Sequence, residues 1–135
     1  MRELRIPIEQ PGVTSTRENN RRTGSSFEQK AADYLIENGY RILEKNYRIR
    51  TGEIDLIAES EREIVFCEVK YRRSAPAAAA LSAVDLRKQR KIIRTAQYYL
   101  MKHPAYSSRS IRFDVIGITG TGHITHIQNA FEQSW

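Results

Sequence analysis

Two short runs of alternating character stand five residues apart, and that spacing constrains the chain more than any other feature: Gly-Glu-Ile-Asp-Leu-Ile-Ala at 52–58 and Ile-Val-Phe-Cys-Glu-Val-Lys-Tyr at 64–71. β-Branched and aromatic residues mark both as strands, and the charged segment Glu59-Ser60-Glu61-Arg62-Glu63 suits a reversal between them. Strands joined this closely pair as an antiparallel hairpin, since a parallel pair needs a long crossover. If the chain turns about the midpoint of Glu61 and Arg62, Asp55 stands opposite Glu68 and Glu53 opposite Lys70. Side chains alternate along a strand, so Glu68 and Lys70 share a face with Ile64 and Phe66. Opposed Cβ atoms lie roughly 4.5 to 5.5 Å apart, which brings two carboxylates within reach of one divalent cation, with a lysine beside them. An odd-length loop would send Asp55 to the other face, so the chemistry depends on this register.

Like charges directly opposed in a sheet are destabilising, and a cation between them resolves the conflict. Hard oxygen ligands suit Mg²⁺ or Mn²⁺, which keep several waters and complete their shell from a substrate phosphate. Phosphodiester hydrolysis is the chemistry that such a site serves: the metal activates water and neutralises phosphoryl charge, and the Lys70 ammonium stabilises the transition state. From spacing alone a blander reading also stands, an exposed hairpin whose Glu and Lys make surface pairs worth about 0 to 1 kcal/mol each.

Around the hairpin the pattern is that of a mixed α/β domain. Residues 1–23 are polar, carry Pro7, Pro11 and Gly12, and read as a disordered arm. The folded domain is expected over 24–135. Ser25-Ser26-Phe27-Glu28 has capping-box spacing, and Phe27, Ala31, Tyr34 and Leu35 continue an amphipathic helix to Asn38-Gly39. An extended segment follows to about residue 50. After the hairpin, residues 73–80 read as a mobile loop. Ser82 then heads a long helix, with Leu86, Ile93, Ala96 and Leu100 as its apolar stripe, until His103-Pro104 stops it. Residues 111–118 and 123–128 are further strands about the turn Gly120-Thr121-Gly122.

The formal charge of +6, from 22 Lys and Arg against 16 Asp and Glu, suits an acidic partner such as DNA, or simply a basic soluble protein. The lone cysteine, Cys67, excludes an intrachain disulfide and a cysteine zinc cluster. It falls on the strand face opposite Glu68, where a buried thiol is expected. No apolar run reaches signal-peptide or membrane-span length, so a cytoplasmic location without membrane association is the expectation.

The hairpin motif, Gly52 to Ala58 followed by Phe66-Cys67-Glu68-Val69-Lys70-Tyr71-Arg72, resembles the PD-(D/E)XK nuclease signature. More narrowly, residues 24–35, Asn46-Tyr47-Arg48, the Gly-Glu-Ile-Asp-Leu-Ile-Ala run of the hairpin, Arg112-Phe113-Asp114-Val115-Ile116 and Ile127-Gln128-Asn129-Ala130-Phe131 resemble the bacterial YraN-like family, related to archaeal Holliday-junction resolvases. The resemblance implies a restriction-endonuclease-like mixed β-sheet flanked by helices. It implies metal ligation by Asp55, Glu68 and the Val69 carbonyl, with Lys70 as the catalytic lysine. Glu28 matches the acidic residue of the first helix that completes such sites, and it is equally the third residue of a capping box. The signature's proline is replaced by Ile54.

The function expected is therefore a metal-dependent DNA endonuclease, with branched DNA such as a Holliday junction as substrate by analogy alone, and a homodimer as the symmetric solution for cutting a junction. A non-catalytic DNA-binding module that keeps the nuclease fold is the alternative. Arg72, Lys88, Gln89 and Lys91 are the candidate DNA contacts, and each is also an ordinary solvated residue. Glu53 is a candidate aid to the metal's water shell or a plain surface glutamate. Tyr98 and Tyr99 are candidate nucleic-acid contacts. Asp114 is either a satisfied buried carboxylate or a functional one, and His123 and His126 lack an identifiable third metal ligand.

Overall fold

The computed structural model describes residues 16–73 and 84–132, with side chains from residue 26. Its elements run α1 (Thr16–Glu37), β1 (Arg41–Ile49), β2 (Gly52–Glu59), β3 (Glu63–Arg72), α2 (Leu86–Lys102), a 3₁₀ turn (Pro104–Tyr106), β4 (Ser110–Thr119) and β5 (Ile124–Phe131). The five strands form one sheet in the order β1-β2-β3-β4-β5. Only β3 and β4 are parallel, and α2 is the crossover that a parallel pair requires.

Alternation along β3 assigns the two faces. Val65 and Cys67 pack with Phe27, Ala31, Tyr34 and Leu35 of α1, whereas Ile64 and Phe66 pack with Ile92, Ala96 and Tyr99 of α2. The sheet is therefore a middle layer with one helix on each side. The hairpin register is the one drawn from the sequence: Leu56 pairs with Cys67, Ile57 with Phe66, Ala58 with Val65 and Glu59 with Ile64. Gly39, at φ 90°, takes the left-handed turn that ends α1. Among the described residues no helix is long and apolar enough to cross a membrane.

Several local expectations are corrected. The first helix begins at Thr16 and runs through Gly24 and Ser25, so the capping-box spacing at Ser25 marks no helix start. The apolar stripe from Phe27 records where the helix gains packing, while its polar first turns need only a helix-compatible backbone. The expected disordered arm is thus helical from residue 16, and its first fifteen residues lie outside the described residues. Ser82 and most of the expected loop also lie outside them. The cap of α2 is Asp85, whose carboxylate accepts the Lys88 N–H at 2.9 Å.

Leu86 is exposed rather than part of the stripe, because the helix starts there and its first turn overhangs the sheet. Tyr99 is buried at 1% exposure, which removes it as a nucleic-acid contact. Its ring lies edge-on to Tyr47 and Phe66 and stacks on His103 at 4.0 Å.

Candidate functional site

The period-two pattern of β2 breaks at Asp55. Ile54 packs on the α2 side, while Leu56, two residues on, packs on the α1 side. Strict alternation would give both the same face. The residue at the break does not project squarely from either face: the Asp55 carboxylate lies between the strands and accepts the backbone N–H of Val69 in β3 at 2.8 Å. Residue pairing between β2 and β3 extends only as far as Leu56 and Cys67 on this side. A side-chain oxygen thus takes the donor that a ladder carbonyl would otherwise receive.

Asp55 is half-buried beside a second carboxylate. Its pKa is pushed up to about 7, first by burial and next by Glu68, with Glu28 adding to the rise and the Val69 N–H opposing it. A side-chain hydrogen bond to Glu68 also raises it. The Glu68 charge thus disfavours the ionised form of Asp55, while Glu68 itself is paired to two ammonium groups. Glu28 contributes from α1 through charge, as a half-buried third carboxylate.

Glu68 is buried at 6% exposure and faces α2, like Phe66 two residues before it. Its Oε1 meets Lys70 Nζ at 3.1 Å and Lys88 Nζ at 2.5 Å. Burial and the contact with Lys88 lower the Lys70 pKa. Burial pulls on Lys88 too, but its hydrogen bonds to Glu68 and Lys70 outweigh that, and its pKa rises.

Asp55, Glu68, Val69 and Lys70 are brought together as the sequence led one to expect, with Glu28 at their edge. Glu53 is not: it is exposed and paired to Arg48 at 2.8 Å. Lys88 and Lys91 line a groove of about 480 Å³ with Arg48, Ile49, Thr51, Gly52, Glu53 and Ile92. Gln89 donates instead to the Val84 carbonyl at 3.0 Å, and Arg72 stands exposed at the end of β3. Tyr98 remains on the outer face of α2, with Lys102 Nζ 5.6 Å from its ring centroid. Among the described residues no three His, Cys, Asp or Glu side chains form a metal-binding group. Two carboxylates with water are a sufficient protein share for Mg²⁺ or Mn²⁺, and a pair of carboxylates whose charges oppose each other fits such an ion.

Sequence reasoning left one polar centre unread. Asp114, fully buried in β4, accepts two hydrogen bonds from Arg112, both at 2.9 Å, one at 2.6 Å involving His126 Nε2, and the Asn129 N–H at 2.9 Å. Arg112 also reaches Glu63 at 2.8 Å and the Tyr40 hydroxyl at 2.6 Å, and the His126 Nδ1 lies 3.0 Å from the Tyr34 hydroxyl. Burial would raise the Asp114 pKa, but the hydrogen bonds from His126, Arg112 and Asn129 prevail and lower it. Asp114 is therefore the satisfied buried carboxylate of the two alternatives. His126 has its ring nitrogens engaged within the core. The signal available in sequence was the apolar setting of Arg112-Phe113-Asp114, which demands partners without naming them.

Three curated relatives, each described as a UPF0102 protein, are similar along most of their length. That of Persephonella marina is 46% identical over 109 residues, covering 81% of this chain and 92% of its own. That of Clostridioides difficile is 44% identical over 114 residues, covering 84% and 99%. That of Stutzerimonas stutzeri is 42% identical over 113 residues, covering 82% and 94%. Among solved structures, Pyrococcus furiosus SfsA in complex with Ca²⁺ matches at 15% identity and a TM-score of 0.34, over 84% of this chain and 65% of that one. The model of the uncharacterised protein family UPF0102 matches residues 27–118. With two thirds of its length inside that match and relatives above 40% identity, the chain belongs to the uncharacterised protein family UPF0102, the YraN-like group its hairpin motif resembles.

Proposed function

We propose that this protein is a metal-dependent endodeoxyribonuclease of restriction-endonuclease-like fold, hydrolysing phosphodiester bonds in DNA. The observation that carries the reading is the Asp55 and Glu68 pair: Asp55 at the break in β2 is pushed up to about 7 in part by the Glu68 charge on β3, with Lys70 Nζ 3.1 Å from Glu68. A sheet selected for stability alone has no reason to oppose two acids there. Asp55, Glu68 and the Val69 carbonyl would hold Mg²⁺ or Mn²⁺, with Glu28 reaching the ion's water shell. The bound ion would supply an activated water and charge neutralisation at the phosphate.

The chain's own groups have distinct tasks in this reading. Asp55 is fixed in orientation by the Val69 N–H, so it needs no reorganisation to ligate. Lys70, anchored by Glu68 and largely buried, presents an ammonium where charge develops on the phosphoryl oxygens. Lys88, Lys91 and Arg48 flank the groove beside this centre and suit the sugar-phosphate backbone, with Arg72 and Gln89 as outlying contacts. Branched DNA, including four-way junctions, is the substrate class proposed by family analogy. Symmetric cutting of a junction calls for two active centres, hence a homodimer. The proposed location is cytoplasmic.

The test offers purified protein linear, flapped and four-way DNA with Mg²⁺, Mn²⁺ or EDTA. Cleavage that requires the metal and disappears in Asp55→Ala and Glu68→Ala supports the proposal. Metal-independent binding without cleavage of any of these substrates would replace it with a DNA-binding module that keeps the fold.

A further inference from the structure

Glu68 Oε1 is claimed by two ammonium groups from different elements. Lys70 comes from the same strand, and its side chain is only 19% exposed. Lys88 comes from the first turn of α2, closer to Glu68 at 2.5 Å, yet its side chain is 39% exposed. The Lys88 side chain also borders the groove whose other cations are Arg48 and Lys91. A four-carbon stem on a helix end thus stands between a buried carboxylate on one side and a cationic groove on the other.

Charge counting shows why this position is conditional. Asp55, Glu68 and nearby Glu28 supply at most three negative charges, and Lys70 and Lys88 two positive ones, so the centre carries at most one net negative charge with no metal. A divalent cation on the same carboxylates turns this into a surplus of at least one positive charge at short range, and it competes with the ammonium groups for Glu68. One ammonium must yield, and Lys88 is the more exposed and is attached to the groove side.

We propose that Lys88 is a displaceable counter-ion of the metal site: it holds Glu68 while no divalent cation is bound, is expelled when one arrives, and then binds a backbone phosphate in the groove beside Arg48 and Lys91. The inference rests on the reading of Asp55 and Glu68 as cation ligands. It adds an order of events, because the cation and Lys88 compete for Glu68 while the cation and DNA support each other. By linkage, DNA must tighten cation binding by the same factor that the cation tightens DNA.

The experiment is calorimetric titration of Mn²⁺ into the full chain without DNA, for wild type, Lys88→Met and Lys91→Met. Lys88→Met is expected to bind Mn²⁺ roughly fivefold more tightly, the value of a half-exposed ion pair removed from competition. Lys91→Met, which deletes an equal charge from the groove without touching Glu68, is expected to leave Mn²⁺ affinity within about twofold. Both variants should bind a short DNA duplex more weakly in Ca²⁺, and in Lys88→Met the gain in DNA affinity on adding Ca²⁺ should shrink. Circular dichroism confirms that each variant is folded, which the exposure of both side chains favours. Unchanged or weaker Mn²⁺ binding in Lys88→Met overturns the inference and leaves the nuclease reading intact. Absence of Mn²⁺ binding by the wild type overturns the reading of the site itself.

Discussion

The pH dependence of stability isolates Asp55 without any appeal to activity. Its carboxyl is pushed up from an ordinary 3.8 to about 7, by burial first and by Glu68 second. Between those values the folded chain holds a proton that the unfolded chain has released. Stability from this group is therefore full below the unfolded value and lost as pH rises through about 7. About three units at roughly 1.4 kcal/mol each set a ceiling of about 4 kcal/mol, and the charge interaction with Glu68 brings the expectation nearer 2. Asp55→Asn presents a neutral acceptor to the Val69 N–H and a donor to Glu68 at every pH. In EDTA, urea denaturation should find the two proteins most alike near pH 4, and the variant about 2 kcal/mol more stable by pH 8.5. Adding Mg²⁺ at the higher pH should raise the wild type and not the variant, since only the former keeps both ligands. Parallel stability curves from pH 5 to 8.5 would refute the reasoning, because they would mean that no strained carboxylate exists at this position.

Lys70→Ala should lower single-turnover cleavage about a hundred- to thousandfold at saturating Mg²⁺, while DNA affinity measured in Ca²⁺ changes much less. Asp114→Asn should cost about 3 to 5 kcal/mol in chemical denaturation at neutral pH, since it strips the charge that Arg112 and His126 enclose. Because the folded Asp114 pKa is lowered, that contribution is present above the unfolded carboxylate value and should vanish as pH falls through the folded one, so the gap between wild type and variant closes in acid. Gly52→Ala should lower stability by about 1 to 3 kcal/mol, because a Cβ there falls on the Thr95 hydroxyl; thermal melts of Gly52→Ala alone and with Thr95→Ala should show partial rescue in the double variant.

The hairpin was legible because its two determinants are local. Loop length set the register, and alternation along β3 set the faces, so the proximity of Asp55, Glu68 and Lys70 follows from a stretch of twenty residues. Strict alternation failed where it mattered, at Asp55. There β2 changes face between Ile54 and Leu56, and Glu53 is carried away to Arg48. Propensity does not announce such a break, because the aspartate's bond to Val69 is made only after the two strands are paired. The two helix starts were misplaced for a related reason: caps at Ser25 and Ser82 satisfy a spacing rule, but tertiary packing decides where a helix is held. The position of Lys88 against Glu68 depends on how α2 crosses the sheet, and the His126 partnership with Asp114 on how β5 returns beside β4. Both are long-range, and no local pattern encodes them.

Two aspartates of this sheet, Asp114 fully buried and Asp55 half-buried, make the strongest physical argument for function. They lie on β2 and β4, in a single domain with one solvent history. Asp114 is surrounded by a guanidinium, an imidazole and a backbone N–H, and its pKa is lowered. Asp55 is placed against Glu68 with Glu28 nearby, receives one backbone N–H, and is pushed up to about 7. The chain therefore satisfies a buried carboxylate fully where the role is structural, so the strain at Asp55 does not reflect a general tolerance of poor electrostatics. Cations are within reach: Lys70 and Lys88 both converge on Glu68, and Asp55 acts on Lys88 through its charge. In the proposed function Asp55, set against a second acid with one backbone N–H, takes its positive charge from a bound cation, and Asp55→Asn measured in EDTA and in Mg²⁺ is the comparison that separates that arrangement from mere imperfection.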